Sequence, residues 1–234
     1  MVNLTAKGAS MKLDLSGKKV RQTVLRYLAI FVGLFIVGNG IVLTIQANIG
    51  VNPWDVLHIG IANRTGLTIG TVIQAVGLLL VVVSYFFKVK IYIGTVLNMI
   101  FLGLFVDLVI AWAYVPNPEL IWHRILLYVT GVIVFGFGVA VYISANLGAG
   151  PRDSLMLALT RVSRFRAGTI RTFMEVTAAT AGFFLGGPLG IGTVIFALTV
   201  GFFMEIGFTI IKAFKRTRPY ELIWNGTKHV TRGV

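Results

Sequence analysis

The chain has 234 residues, 56% of them hydrophobic and only 12% charged, with a mean hydropathy of +0.87 and a formal net charge of +13. Soluble domains carry about 25% charged residues, so a chain this apolar has too little polar surface to cover itself in water and reads as an all-α polytopic membrane protein. It has no cysteine, which excludes disulfides and thiolate metal sites; its three histidines, His58, His123 and His229, are far apart in sequence, so no metal site and no cofactor are expected.

The chain opens on a basic segment, residues 1–24, with Lys7, Lys12, Lys18, Lys19 and Arg21, followed by Arg26. It closes on a basic tail, residues 213–234, with Lys215, Arg216, Arg218, Lys228 and Arg232, just after Lys212. The positive-inside rule puts both ends in the cytoplasm, where they meet anionic lipid headgroups. The same excess of base would suggest nucleic acid in a soluble protein, but no aromatic or glycine-rich recognition signature accompanies it, so no nucleic-acid partner is expected. The first apolar run, 27–47, outlasts the ~7–15 residues of a signal-peptide core and should stay in the membrane.

Between the tails the chain repeats itself in register. Gln46–Leu57 faces Ser144–Leu155, with Asn48 falling on Asn146 at an offset of 98. The same offset pairs Gly33 with Gly131, Gly38 with Gly136, Gly40 with Gly138, Gly70-Thr71 with Gly168-Thr169, and Gly103 with Gly201. It also pairs the two Ile-Gly-Thr-Val stretches at 93–96 and 191–194, and the acids Asp107 and Glu205. Two membrane repeats follow, 25–114 and 123–212, with predicted segments at 26–47, 53–63, 68–87 and 91–113, then 124–145, 151–161, 166–185 and 189–211. Three segments per repeat can cross a ~30 Å hydrocarbon core. The second, about 11 residues, reaches only ~16 Å as a helix and reads as a half-helix that enters and returns. Three crossings per repeat invert the second relative to the first; four would make them parallel. Loop arginines and lysines divide five inside and two outside either way, so the short segment decides for inverted topology.

Each half-helix begins at a shared motif. Gly50 and Gly148 permit a sharp turn, Asn52 and Gly150 fit the N-cap, Pro53 and Pro151 the first helical position, and Asp55 and Asp153 the reciprocal place of a capping box. That accounts for the motif structurally. The functional reading uses the same geometry: two helix N-termini broken open inside the bilayer expose unpaired N–H groups and the positive ends of helix dipoles. Two such starts meeting near the midplane make a transporter site, beside which Asn48 and Asn146 would place paired amides. The repeats differ where Trp54-Asp55 becomes Arg152-Asp153, and His58 aligns with Met156. An aromatic face in one half and a cation in the other suit an amphipathic or anionic small molecule. The candidate substrate residues are therefore Asn48, Trp54, Asp55, Asn146, Arg152 and Asp153. His58, three residues after Asp55, shares its helical face.

Five of the eight acids fall within the predicted membrane segments: Asp55, Asp107, Asp153, Glu175 and Glu205. A charge at that depth costs at least ~2.5 kcal/mol, so each should be paired, protonated or facing water. Arg171 and Glu175 have ion-pair spacing. Asp107 and Glu205 are read either as interfacial carboxylates or as a proton-coupling pair.

The motif Asn48-Ile49-Gly50-Val51-Asn52-Pro53-Trp54-Asp55, its counterpart Gly148-Ala149-Gly150-Pro151-Arg152-Asp153, and the two Ile-Gly-Thr-Val stretches resemble the YczE/YyaS/YitT family of bacterial membrane proteins, on its YczE-like branch. The resemblance spans about positions 25 to 212. It implies a multi-pass protein of the cytoplasmic membrane; some family members are candidate drug exporters. A soluble C-terminal domain carried by some YitT-type members is not expected here. The leading functional expectation is a small secondary transporter or exporter. A passive channel is a close variant, and an accessory or substrate-capture subunit of a larger membrane complex is the alternative. The oligomeric partner, a second copy or another membrane protein, stays open. No zincin, nucleophile-elbow or P-loop motif argues for an enzyme or an ATPase.

Overall fold

The computed structural model describes residues 4–215, with side chains described from 20 to 214; most of the expected basic tail lies outside that range. Eight helices follow in order: α1 (Leu4–Ala47), α2 (Pro53–Thr65), α3 (Ile69–Phe86), α4 (Ile93–Trp112), α5 (Ile121–Ser144), α6 (Pro151–Val162), α7 (Ala167–Phe184) and α8 (Ile191–Lys215). Among the described residues there is no strand. The first helix begins far upstream of its expected start, because no proline interrupts the basic segment and a helix already nucleated by its apolar half propagates cheaply.

Five helices are long and apolar enough to cross a membrane: the Val20–Ala47 part of α1, α3, α4, α5 and α8 up to Phe214. The chain is a multi-pass membrane protein. Six long segments were expected, and α7 is the one that falls short of this measure. It matches α3 in length at 18 residues but carries Arg171, Glu175 and four scattered threonines. The two short helices have 13 and 12 residues, about 18–20 Å at 1.5 Å per residue, less than a bilayer core.

The core is built on α1 and α5, which run antiparallel in the most extensive helix contact of the molecule. Glycines make this approach possible, as in membrane helices generally, where small residues let backbones meet. A Cβ added at Gly33 would lie 2.5 Å from the Tyr142 nitrogen, and one at Gly40 would lie 2.6 Å from that of Phe135. From the other helix, Gly131 faces Thr44 and Gly138 faces Val37. Gly38 seats α1 on Phe105 and Val106 of α4, while Gly136 seats α5 on Phe203 and Met204 of α8.

The expected repeats do not sit side by side. The short helix α2 packs mainly on α7, and α6 on α3, so each half-helix lies against the long helix of the other repeat. Gly60 and Gly182 allow the first of these approaches, with Gly60 directed at the Gly182 carbonyl. A second apolar cluster then forms from all four helices, centred on Trp54, Leu80, Ile170, Met174 and Ala178.

Gly40→Leu should force its side chain into the Phe135 backbone and destabilise by about 1–3 kcal/mol. Thermal unfolding in detergent checks this. Gly201→Leu, where an added Cβ meets nothing within 4 Å, should leave the midpoint nearly unchanged.

Candidate functional site

The site is assembled from two broken connections. After α1 ends, Asn48 takes a left-handed conformation at φ 51° and Gly50 one at φ 119°; after α5, Asn146 and Gly148 do the same at 54° and 131°. Asparagine and glycine tolerate this region better than other residues. The extended backbone that follows would be costly in hydrocarbon unless protein satisfied it, and it is satisfied from the opposite repeat. The Gly192 N–H at the start of α8 donates to the Ile49 carbonyl at 2.8 Å. The Gly94 N–H at the start of α4 donates to the Leu147 carbonyl at 2.9 Å. The Thr95 hydroxyl donates to the Ala149 carbonyl at 2.6 Å. The two Ile-Gly-Thr-Val stretches, which entered as repeat markers only, are therefore clamps on the broken segments.

Two arginines close the helix ends in the same reciprocal way. Arg124, entering α5, donates through Nε to the Ala47 carbonyl at 2.9 Å and through Nη2 to that of Asn48. Arg26, near the start of the apolar part of α1, donates to the carbonyls of Ala145 and Asn146 at 3.1 and 3.4 Å. Both satisfy carbonyls that a helix C-terminus leaves without partners. Neither was singled out from sequence as functional, although their spacing is also 98 and each sits opposite a helix end.

These contacts correct one expectation. Asn48 and Asn146 do not flank a shared site: they sit at opposite ends of the antiparallel α1–α5 pair. The 22 residues from Arg26 to Ala47 span about 32 Å of helix. Asn146 reaches the edge of the cavity described below; Asn48 does not. Both residues are exposed, and their left-handed backbone makes the turn.

The half-helix starts do meet. Asn52 caps α2, its Oδ1 accepting from the Trp54 N–H at 3.0 Å, and its Nδ2 donates to Asp55 Oδ2 at 2.9 Å. The capping box thus closes through the Asn52 side chain, not its backbone N–H. Asp55 is fully buried, and its Oδ1 contacts His58 Nδ1 at 3.2 Å and Arg152 Nη2 at 3.9 Å. The Arg152 guanidinium, from the first turn of α6, lies 5.0 Å from the centre of the Trp54 ring, within cation–π range. So Trp54 and Asp55 of one half-helix and Arg152 of the other share one cluster.

Beside this cluster opens a cavity of about 480 Å³, within the ~300–1,000 Å³ of small-molecule sites. Trp54, His58, Arg152 and Asp153 line its polar end, together with the Arg171–Glu175 pair, joined at 3.0 Å. Val139, Phe135, Met174, Phe196 and Val200 make up much of the apolar remainder. Asn98 and Tyr142 also line it; sequence reasoning missed both, since each lies inside an unbroken apolar helix with no motif around it. Two cations and two acids face the space, and Arg152 is shared with Asp55 behind it, so the lining is charge-balanced and not cationic.

The two candidate coupling acids lie elsewhere and are not alike. Asp107 caps α3: Oδ1 accepts the Gly70 N–H at 2.8 Å and Oδ2 the Thr68 hydroxyl at 2.6 Å. Glu205 is exposed on α8 and makes no hydrogen bond or ion pair among the described residues. No group of three or more metal-ligating side chains gathers among the described residues.

Asp55→Ala should strand the buried Asn52 amide and His58 ring nitrogen, lowering stability by about 1–3 kcal/mol. Arg152→Ala, which strips the buried Asp55 of its countercharge, should destabilise as well. Paired unfolding curves in detergent give the comparison.

Residues 24–208 match DUF6198, a family of unknown function. The chain is 37% identical over 188 residues to the uncharacterized membrane protein YczE of Bacillus subtilis, covering 79% of this chain and 86% of that one. It is 33% identical over 188 residues to an uncharacterized protein of Haemophilus influenzae, covering 80% and 85%. It is 25% identical over 194 residues to the uncharacterized protein YyaS of Bacillus subtilis, covering 80% and 94%. No solved structure matches.

Proposed function

The chain belongs to the DUF6198 family, with YczE-like membrane proteins among its relatives, and from that premise we propose that it is a small secondary transporter or exporter of an amphipathic molecule. The observation that carries the reading is the cavity at the meeting of α2 and α6, where an aromatic ring, a guanidinium and carboxylates converge beside an apolar wall. Broken helices whose starts meet between two halves are the arrangement by which transporters hold a polar group away from water. The balanced lining favours the amphipathic member of the expected substrates over a simple anion.

The same reading takes the repeats as inverted. Antiparallel α1 and α5, each capped by an arginine from the start of the other, support it. So does the direction of α2: α3 and α4 pack antiparallel through Gly70 and Gly103, and the connection from α4 to α5 is short. With α1, α3 and α4 crossing and α2 returning, each unit crosses an odd number of times. Both termini then lie on one side, the cytoplasmic side by charge, in a bacterial inner membrane, where the basic ends meet anionic headgroups. Binding and release at the cavity require no chemical step on the substrate, so the protein acts as a carrier and not an enzyme.

Proton coupling falls to Asp107 and Glu205. A carboxylate that alternates between capping a helix N-terminus and facing solvent can carry a proton between the two states. In liposomes with an imposed proton gradient, Asp107→Asn and Glu205→Gln should each abolish uphill accumulation without loss of protein. Full activity in both removes the coupling role.

Purified protein in liposomes should move amphipathic substrates alone and lose that activity with Arg152→Ala. Failure across a broad panel, with a partner that co-purifies stably, would favour an accessory subunit. Flux that never exceeds its gradient would favour a channel. For topology, cysteines at Arg64 and Arg161 should label from opposite faces of the membrane; same-face labelling would refute inversion.

A further inference from the structure

Positions 98 apart make matching contacts where α1 meets α5 and where α4 and α8 hold the broken segments, but not where α3 meets α4 and α7 faces α8. On α3 and α4, Gly70 and Gly103 face each other's carbonyl oxygens so closely that neither has room for a Cβ. Asp107 locks this approach by binding the Gly70 N–H and Thr68, and Gln74 bonds the Ile100 carbonyl at 2.8 Å. The corresponding helices are α7 and α8, and they barely touch. Around Gly168 and Gly201 there is nothing within 4 Å of an added Cβ. Arg166 caps α7 without a side-chain bond, whereas Thr68 caps α3 with one. Glu205, equivalent to Asp107, points at no partner among the described residues.

The gap leads into the cavity. Arg171, Met174 and Glu175 line the cavity from α7, and Ala197, Val200 and Met204 line it from α8. Both helices carry large exposed apolar side chains, Phe173 and Val176 on α7 and Val194, Leu198 and Phe202 on α8. An opening between two membrane helices with large apolar side chains on their outer faces, leading to a cavity with an apolar wall and one charged end, admits what is dissolved in the bilayer more readily than what is dissolved in water.

We propose that the space between α7 and α8 is a lateral portal through which a membrane-partitioned amphiphile enters the cavity, its chain along α8 and its head against Trp54, Arg152 and Asp153. The α3–α4 contact shows the closed form of the same element. Approach of Gly168 to Gly201, with Glu205 on the α7 N-terminus, would seal the portal behind the ligand. This rests on the cavity being the substrate site proposed above, but the following test requires no transport.

Trp54 reports on the cavity directly. A chain keeping Trp54 alone, with Trp112, Trp122 and Trp224 replaced by phenylalanine, is placed in phosphatidylcholine–phosphatidylglycerol vesicles and titrated with dibromostearate, a single-chain amphiphile whose bromines quench tryptophan at contact. Iodide serves as the aqueous quencher. Dibromostearate should quench Trp54 and iodide should not. Gly201→Phe and Gly168→Phe, which place a ring in open space from either helix, should each remove that quenching. A chain keeping Trp122 alone, exposed at the start of α5, should be quenched equally with and without them. Quenching of Trp54 that survives both substitutions, quenching by iodide alone, or no quenching at all overturns the portal. In the chain with Gly168 and Gly201 intact, quenching of Trp54 by dibromostearate without any transport would instead sink the transporter reading and leave the portal standing.

Discussion

Backbone polar groups at membrane depth must find partners inside the protein, because lipid offers none and each orphan costs several kcal/mol. This chain interrupts its helices twice, at 48–52 and 146–150, and each interruption draws partners from the other half of the chain. Gly192 of α8 holds Ile49, and Gly94 of α4 holds Leu147. Arg124 holds the end of α1, and Arg26 the end of α5. The halves are consequently interlocked: either broken segment, taken alone, would leave carbonyls bare in hydrocarbon.

Interlocking of this kind demands close backbone approach, and glycine supplies it. Gly33, Gly40, Gly131 and Gly138 bring α1 and α5 together; Gly60 and Gly182 bring α2 to α7. With no hydrophobic drive between helices in lipid, such van der Waals contact and interhelical hydrogen bonding are what hold a bundle together. The exception at α7 and α8 stands out for the same reason. Two glycines that could meet, and whose counterparts do meet, are left apart where the cavity opens.

The site draws on the same constraint. A short helix that starts buried in the protein must cap its own N-terminus, and Asn52, Pro53 and Asp55 do this for α2. Once Asp55 is buried there it needs a countercharge, and Arg152 of the other half supplies one at 3.9 Å while lying over Trp54. Asn52 and Pro53, which end the break, also line the cavity, and Asp55 lies behind it.

Local features were readable from residues in order. Pro53 and Pro151 at the first helical position, Asn52 and Gly150 as caps, the i,i+3 contact of Asp55 with His58 and the i,i+4 pair of Arg171 with Glu175 all depend on near neighbours and helical geometry. Membrane class, helix number and the short second segment followed from hydropathy and length in the same way. Contacts between distant segments were not readable. The sequence carried Asn48 and Asn146 as a pair but not that about a bilayer's thickness divides them. It carried Arg26, Arg124 and the Ile-Gly-Thr-Val stretches, but not their work as caps and clamps. Two glycine pairs with the same spacing, Gly70–Gly103 and Gly168–Gly201, end in opposite states. Residue type and spacing set what each short segment could form, because those preferences act over one or two turns. Which segments met was decided by the packing of the two halves, where the Ile49 carbonyl finds its partner at Gly192 and the Leu147 carbonyl at Gly94, far away along the chain.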